Sequence, residues 1–167
     1  MMLASVALLT FVTLQRLGEL ALAKHNTAAL FARGAREFGA EHYPYMVALH
    51  AGWIGGLWLL ATDRPVNFFW FGIFMLLQVL RLWVLATLKE RWTTRIIVLP
   101  NAPLVRSGPY RLIRHPNYAI VAGEIAALPL AFDMYFYAGI FTVLNAIILT
   151  ARIRAENAAL RAAMILK

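Results

Sequence analysis

The sequence predicts an all-α fold, a polytopic bundle of about five transmembrane helices that forms one domain over residues 1–167. Apolar residues make up 62% of the chain and charged residues 14%, whereas soluble domains have about 45–50% and about 25%. Five apolar stretches approach the roughly 20 residues that a helix needs to cross the hydrocarbon core. Helices are required there, because lipid cannot satisfy the hydrogen bonds of an open backbone.

The apolar stretches place the helices in order along the chain. The predicted spans are residues 2–23, 44–62, 66–88, 118–132 and 135–151. The first span lacks a basic segment before its apolar run, which indicates a retained helix rather than a cleaved signal peptide. Only Phe132, Asp133 and Met134 separate the last two spans, which are short. These two are therefore predicted to form a tight helical hairpin.

Basic residues between the spans predict the orientation of the bundle. With five spans, residues 23–43, residues 89–117 and the C-terminal tail lie on one side and hold 13 lysines and arginines, while Arg64 is alone on the other side. Such residues favour the cytoplasmic side of a membrane. We therefore expect an integral membrane protein with its N-terminus outside and its basic loops in the cytoplasm.

Charge and cysteine content exclude several classes of function. The net charge of +8 suits an anionic membrane surface, because the basic residues flank apolar runs, and no nucleic-acid partner is expected. The chain has no cysteine, which excludes disulfides, thiolate metal sites and cysteine nucleophiles. No metal site is expected, and the lipid bilayer is the first predicted partner.

Polar side chains interrupt the predicted spans, and such groups usually face the interior of a bundle because lipid solvates them poorly. They are Gln15, Arg16, Glu19, His50, Gln78, Arg81, Glu124 and Asn145. Two interpretations stay open. The arginines and glutamates form internal ion pairs, or they line a polar cavity that is open to the cytoplasm. A lone histidine such as His50 is more often a helix–helix hydrogen bond than a catalyst.

Residues 107–118 are the most informative segment. Gly108-Pro109 is a turn signal. Pro116 suits the first position of a helix, which makes His115 the predicted N-cap of the fourth span. The N-terminus of a helix presents free N–H groups and the positive end of a dipole. The segment is therefore suited to hold a carboxylate or a phosphate.

Four side chains around this turn extend the same prediction. Arg111 and Arg114 carry positive charge just before the helix, and Tyr110 and Tyr118 offer flat faces to a ring or a sulfonium cation. A second interpretation stays open, in which the segment is an ordinary basic loop whose arginines contact lipid headgroups.

A second group of polar residues follows the fifth span. Arg152 and Glu156 are four residues apart and share one helix face, and Asn145 continues that face into the span. Arginine before glutamate is the weaker order for a helical ion pair, so helix stability alone does not account for the pair. A solvated tail helix is the other interpretation.

Together these residues resemble the isoprenylcysteine carboxyl methyltransferase family of membrane enzymes. The family pattern is a Gly-x-Tyr turn, an Arg-His-Pro-x-Tyr motif that opens a helix, a short hairpin, and Arg-x-x-x-Glu-Glu on the last helix. It matches residues 108–110, 114–118, 118–151 and 152–157. The resemblance covers roughly residues 75–160.

The resemblance implies an S-adenosylmethionine (SAM) site formed mainly by residues 100–160. The cofactor-binding positions that it implies are Leu104, Val105, Tyr110, His115, Pro116, Asn117, Tyr118 and Glu156. It also implies that Arg152 contacts the substrate and that Arg152 and His115 take part in catalysis. Asn157 departs from the pattern, which has a second glutamate there, and Ile120 replaces a glycine. Both departures bear on the identity of the substrate.

The N-terminal half resembles a bacterial branch of the family that is associated with type III polyketide synthases and methylates hydroxyls of alkylpyrones or alkylresorcinols. The matching segments are residues 15–20, 24–26, 33–35, 42–43, 46–47 and 50. This implies an O-methyltransferase for a lipophilic small molecule, in a bacterial inner or plasma membrane. Glu19 and His50 are then expected to contact that substrate.

A phenolic acceptor has a pKa near ~10 and needs a base or a strong hydrogen-bond acceptor. His115, Glu19 and His50 are the candidates, and the sequence does not rank them. Three other functions stay open: carboxyl methylation of isoprenylcysteine-type substrates, a nicotinamide-dependent membrane reductase, because some sterol reductases share the His-Pro turn, and a scaffold without activity.

Overall fold

A computed structural model gives the structure of residues 2–100 and 102–165, with side chains described up to residue 162. Within these ranges the chain forms five α-helices and one pair of short strands. The helices are α1 (Met2–Ala32), α2 (Tyr43–Leu60), α3 (Phe68–Leu88), α4 (Pro116–Leu130) and α5 (Tyr135–Ile165). The strands are β1 (Arg36–Phe38) and β2 (Ile96–Val98). The predicted all-α membrane fold is confirmed.

Three helices of the described chain, α1, α3 and α5, are long and apolar enough to cross a membrane. The 15 residues of α4 extend only roughly 22 Å at 1.5 Å per residue, less than the ~30 Å hydrocarbon core. Helix α4 lies instead against α3 and α5. Its Ile125 and Leu128 are fully buried and pack in one core with Leu9, Trp53 and Phe74.

Helix α1 is longer than the predicted span, which ended at residue 23. The charged side chain of Lys24 ends the apolar run but does not disfavour a helix. The helix stops where Gly34 takes a positive φ of 84°. There the Gly34 and Ala35 amides donate to the carbonyls of Phe31 and Leu30 at 2.9 and 3.0 Å, a glycine-terminated helix end. Helix α5 likewise continues well past residue 151.

The predicted hairpin of the last two spans is present. Helix α4 ends at Leu130 and α5 begins at Tyr135. The turn is fixed by Asn67, whose backbone amide donates to the carbonyl of Ala131 at 2.8 Å and whose side chain donates to Asp133 at 3.1 Å. The hairpin turn and the α2–α3 connection therefore lie at the same end of the bundle.

The two strands were not predicted from the sequence. They pair antiparallel, with Arg36 opposite Val98 and Phe38 opposite Ile96. Arg95 donates to the Glu37 carboxylate at 2.9 Å, and this hydrogen bond raises the pKa of Arg95 above its ordinary value. The pair joins the α1–α2 connection to the α3–α4 connection, so these basic segments share the end of the bundle opposite the hairpin turn.

Candidate active site

A cavity of about 1490 Å³ lies at the end of the bundle that carries the strand pair. Pockets for one small ligand usually measure ~300–1,000 Å³, so this cavity has room for two molecules side by side. Side chains of α1, α2, α3, β2, the segment 102–115, α4 and α5 line it. Every position that the sequence singled out as cofactor- or substrate-binding lines this cavity except Pro116, which is buried behind it at the start of α4.

The start of α4 forms one part of the wall. Pro116 occupies the first turn of α4 and His115 is the N-cap, as predicted, but the His115 side chain makes no capping hydrogen bond. Its ring points instead at α5. Nε2 lies 3.2 Å from Asn157 Oδ1, and Nδ1 lies 3.6 Å from Glu156 Oε1. The imidazole is therefore held between the two helices.

Tyr118, one turn further along α4, makes the shortest of these contacts. Its hydroxyl donates to Glu156 Oε2 at 2.6 Å, and its ring lies 5.5 Å from that of His115. The two motifs that the sequence showed about 40 residues apart thus meet across the α4–α5 hairpin. The result is a carboxylate, an imidazole and a phenol on one wall of the cavity.

Tyr110 stands on the 3₁₀ turn Gly108–Arg111 and faces the same wall. Burial, and then the nearby Glu156 carboxylate, raises the pKa of Tyr110 well above its ordinary value. The phenol is therefore neutral at physiological pH. Leu104 and Val105 add an apolar edge, and the side-chain oxygen of Asn117 is buried without a hydrogen-bond partner among the described residues.

Arg152 lies one helical turn before Glu156 and is only 3% exposed. One terminal nitrogen of its guanidinium donates to the carbonyl oxygen of Thr94 at 2.8 Å. Its Nε is buried and has no hydrogen-bond partner in the part of the chain that the structure describes. The hydrogen-bonding capacity of Arg152 is therefore not fully used within the described chain, as it would be in a purely structural ion pair.

A buried cluster of charges lies between α1, α3 and α4, at the side of the cavity that faces the interior of the bundle. Glu124, with no exposed surface, accepts hydrogen bonds from Nε and Nη2 of Arg81, from Arg16 at 2.7 Å and from Gln78 at 2.8 Å. Arg81 also donates to Glu19 at 2.9 Å. These residues therefore form internal ion pairs, and Arg16, Glu19 and Arg81 also line the cavity. That the cavity opens to the cytoplasm stays a prediction.

His50 lies on α2 and also lines this part of the cavity. The expectation of a helix–helix hydrogen bond is wrong. Nδ1 of His50 lies 2.8 Å from the carbonyl oxygen of Met46, one turn earlier in the same helix. A polar side chain in an apolar helix can satisfy itself on its own backbone, and the sequence pattern does not distinguish that from a contact between helices.

The cavity also reaches the side of the bundle. Leu17 and Leu20 of α1 and Val47 of α2 line the cavity, yet they are 57%, 44% and 43% exposed. Apolar side chains that line the cavity and are also exposed indicate that the cavity is accessible between α1 and α2.

Residues 24–26 were among the segments that match the bacterial branch, but sequence reasoning gave no structural role to Asn26, which stabilises the wall formed by residues 89–98. Its side-chain amide donates to the carbonyls of Lys89 and Trp92 at 3.1 and 2.9 Å. The helical period could have indicated an inward-facing Asn26, because this residue is seven positions after Glu19 and shares the same helix face. Continuing the polar stripe of α1 past the apolar run would have identified it.

Gly108 positions the loop that carries Tyr110, and alanine there should loosen the loop. Gly108 has a φ of 56°, and a Cβ would lie 2.5 Å from Thr87 Oγ1. Left-handed strain alone costs about 1–3 kcal/mol. We expect Gly108→Ala to raise the rate of tryptic cleavage after Arg111 by roughly tenfold, since each 1.4 kcal/mol changes an opening equilibrium tenfold.

The matched control is Gly72→Ala in α3, where a Cβ would meet nothing within 4 Å. Both variants are digested with trypsin in detergent and the fragments are followed by mass spectrometry. Cleavage of Gly108→Ala at the rate of the control would show that the loop does not need this backbone conformation.

Comparison with known proteins gives a family and two relatives. The sequence profile of the isoprenylcysteine carboxyl methyltransferase (ICMT) family matches residues 70–162. A Bacillus subtilis protein named YpbQ, described as uncharacterized, is 37% identical over 159 residues, 92% of this chain and 95% of its own. An uncharacterized Haemophilus influenzae protein is 25% identical over 151 residues, 87% of this chain and 88% of its own. No solved structure matches the chain.

Proposed function

We propose that this chain, which belongs to the isoprenylcysteine carboxyl methyltransferase family of membrane methyltransferases, is SAM-dependent. It would transfer the methyl group of SAM to a hydroxyl of a lipophilic acceptor. The favoured acceptor is an alkylresorcinol or alkylpyrone polyketide lipid. One observation carries the proposal: the Tyr118–Glu156 contact lies in a cavity that is large enough for two ligands and opens between α1 and α2.

The residues of the α4–α5 wall fit the chemical groups of SAM. Glu156 would accept hydrogen bonds from an ammonium or hydroxyl group, and the N-terminus of α4 with Arg111 and Arg114 would hold the carboxylate. The faces of Tyr110 and Tyr118 suit an adenine ring or a sulfonium cation. The unpartnered Asn117 oxygen leaves one further hydrogen-bond acceptor for the ligand.

SAM, when bound, would supply a methyl group on a sulfonium; the nucleophile attacks the methyl carbon and the sulfur leaves as a thioether. The protein then has to align the acceptor oxygen and exclude water. We expect Arg152 to donate to that oxygen. The support is that Arg152 lines the cavity, that its Nε has no hydrogen-bond partner among the described residues, and that its helix also carries Glu156. Glu19 and His50 face the other part of the cavity, where the acceptor ring would lie.

The exposed apolar residues between α1 and α2 support a lipid acceptor. The opening lets an alkyl tail remain in the bilayer while the polar head reaches Arg152, so the cost of extracting a whole lipid into water is avoided. We place the cofactor end in the cytoplasm of a bacterial inner or plasma membrane and the N-terminus outside. The support is that the basic segments lie at that end.

Binding of SAM is the first test. Purified protein in detergent is titrated with SAM and with NADPH by calorimetry, which separates a methyltransferase from a nicotinamide-dependent reductase. We expect binding of SAM alone. Glu156→Gln should weaken SAM by roughly 10- to 100-fold, because hydrogen bonds to charged groups contribute about 1.5–3 kcal/mol. Glu41→Gln, whose side chain is 72% exposed, should bind like wild type.

The acceptor is tested with radiolabelled SAM and three lipids: an alkylresorcinol, an alkylpyrone and an isoprenylcysteine analogue. Methyl transfer to either of the first two supports the proposal. Methyl transfer only to the isoprenylcysteine carboxylate would contradict the proposed acceptor but support SAM as the cofactor. If the protein binds neither SAM nor NADPH, and the Glu156→Gln and Glu41→Gln variants do not differ in SAM binding, a scaffold would be favoured and the proposed function overturned.

A further inference from the structure

Three side chains along the cavity could take a proton from an acceptor hydroxyl, and the structure separates them. His115 presents both ring nitrogens to oxygen acceptors, Nε2 to Asn157 Oδ1 at 3.2 Å and Nδ1 to Glu156 Oε1 at 3.6 Å, so neither nitrogen points to the rest of the cavity. Both carboxylate oxygens of Glu19 are also engaged, one by Gln15 at 3.0 Å and the other by Arg81. A carboxylate such as Glu19, whose oxygens already accept from an amide and a guanidinium, is a poor proton acceptor.

His50 differs, because only one of its ring nitrogens is engaged. A carbonyl oxygen cannot donate, so the 2.8 Å contact with the Met46 carbonyl requires the proton on Nδ1. In the neutral ring, Nε2 then has a free lone pair. No side chain or backbone group of the described chain bonds Nε2. The hydrogen bond at Nδ1 fixes both tautomer and ring orientation, as in other catalytic histidines.

The surroundings of His50 suit a hydroxyl group with an alkyl chain. Its neighbours along the cavity wall include Met46, Val47 and Ile54, and the opening to lipid lies beside Val47. The charged groups that act on the imidazole are Arg16 of α1, Arg81 of α3 and Glu124 of α4. The Nε of Arg16 is buried without a partner among the described residues and could donate to a second oxygen of the acceptor ring.

We infer that His50 is the catalytic base for a phenolic acceptor, an inference that rests on the proposed function. The hydroxyl proton moves to His50 Nε2 while the oxygen forms a bond to the methyl carbon of the donor. The carbon–sulfur bond breaks and its electron pair stays on sulfur, which becomes a neutral thioether. The imidazolium then returns its proton to water.

Two acceptors with the same alkyl chain test this role, because they differ in acidity. An alkylresorcinol is a phenol and is protonated at neutral pH. A 4-hydroxy-2-pyrone is a vinylogous acid and is already ionised there, so it needs no base. His50→Gln should lower kcat on the resorcinol by about 100-fold or more and leave kcat on the pyrone nearly unchanged. His25→Gln, exposed on α1 and outside the cavity, should act on both like wild type.

Equal losses on both acceptors, or full activity of His50→Gln on the resorcinol, would overturn the role of His50. Unchanged affinity of His50→Gln for SAM shows that the variant is folded. A readout without methyl donor is an alkyl nitrophenol, whose phenolate absorbs visible light. Wild type and His25→Gln should ionise the bound phenol at neutral pH more than His50→Gln does, and equal ionisation would overturn the inference.

The two failures are distinguishable. If wild type transfers no methyl group to either lipid, the proposed function fails. The nitrophenol measurement needs no SAM and still confirms or overturns proton acceptance by His50.

Discussion

Replacing Glu124 with leucine should lower the free energy of unfolding by about 3–5 kcal/mol, the cost of leaving a buried charge uncompensated. The Glu124 side chain has no exposed surface and neutralises Arg81, which is 2% exposed, and Arg16. In the variant, two arginines share the single carboxylate of Glu19. The Gln78 amide also loses its acceptor. The expected loss is a large fraction of the stability of a small domain.

Unfolding is measured by titration with sodium dodecyl sulfate in mixed micelles, followed by far-ultraviolet circular dichroism. The control is Glu90→Gln, because Glu90 pairs with Arg33 at the surface with side chains 80% and 52% exposed. Such pairs contribute about 0–1 kcal/mol.

The double variant Arg81→Met/Glu124→Leu removes one charge of each sign and leaves Arg16 beside Glu19. It should therefore recover much of the loss. A Glu124→Leu protein as stable as Glu90→Gln would contradict the assigned charge network.

Features that depend on neighbouring residues were predicted well from the sequence. His115 and Pro116 were placed at the start of α4 because proline chemistry is local: its missing N–H has no cost at the first helical position. The hairpin turn at residues 131–134 followed from the spacing of two apolar runs. The family motif was recognised from residues 108–118 and 152–157, and the family profile covers both segments.

Features that depend on distant pairing were missed. Strands β1 and β2 have three residues each and lie about 60 residues apart, so neither segment has enough alternation to indicate a strand by itself. The end of α1 was also misplaced, because apolarity measures contact with lipid, whereas the helix continues until Gly34 stops it. An apolar run therefore marks the part of a helix in lipid rather than the helix.

The candidate site was also predicted only where residue type or local sequence was sufficient. The sequence identified His115, Glu19 and His50 as possible bases because residue type is visible in it. Their ranking depends on which ring nitrogens and carboxylate oxygens already have hydrogen-bond partners, and those partners, Asn157, Arg81 and the Met46 carbonyl, become visible only in the fold. The role of His50 stays a prediction until the paired acceptors are tested.

The charge network forms part of the cavity wall. Glu124 holds Arg81 and Arg16 on one side of the cavity, while Arg152 and Glu156 stand on another. Arg16 and Arg81 therefore present to the cavity guanidinium groups whose charges are balanced by the buried carboxylates of Glu19 and Glu124. This arrangement keeps donors available without a net positive charge in the bilayer, which would be costly.

Replacing Arg152 with methionine should reduce kcat/KM for the lipid acceptor by about 10²–10³-fold, the usual effect of losing a preorganised donor at a reacting oxygen. Methionine keeps the apolar stem of arginine but is shorter and has no side-chain N–H. The bond to the Thr94 carbonyl is also lost, so thermal unfolding is measured beside activity. Lysine should not restore the rate, because a single ammonium cannot serve Thr94 and the acceptor with the geometry of a guanidinium.

Initial rates are measured at saturating SAM over a range of alkylresorcinol concentrations, and SAM affinity is measured separately. The matched control is Arg154→Met, because Arg154 lies two residues further along α5, is exposed and does not line the cavity. Arg154→Met should keep both values. Arg152→Met should keep SAM affinity and lose kcat/KM, which assigns Arg152 to the acceptor. A parallel loss of SAM affinity would assign it to the cofactor, and a kcat/KM equal to that of Arg154→Met would remove it from the site.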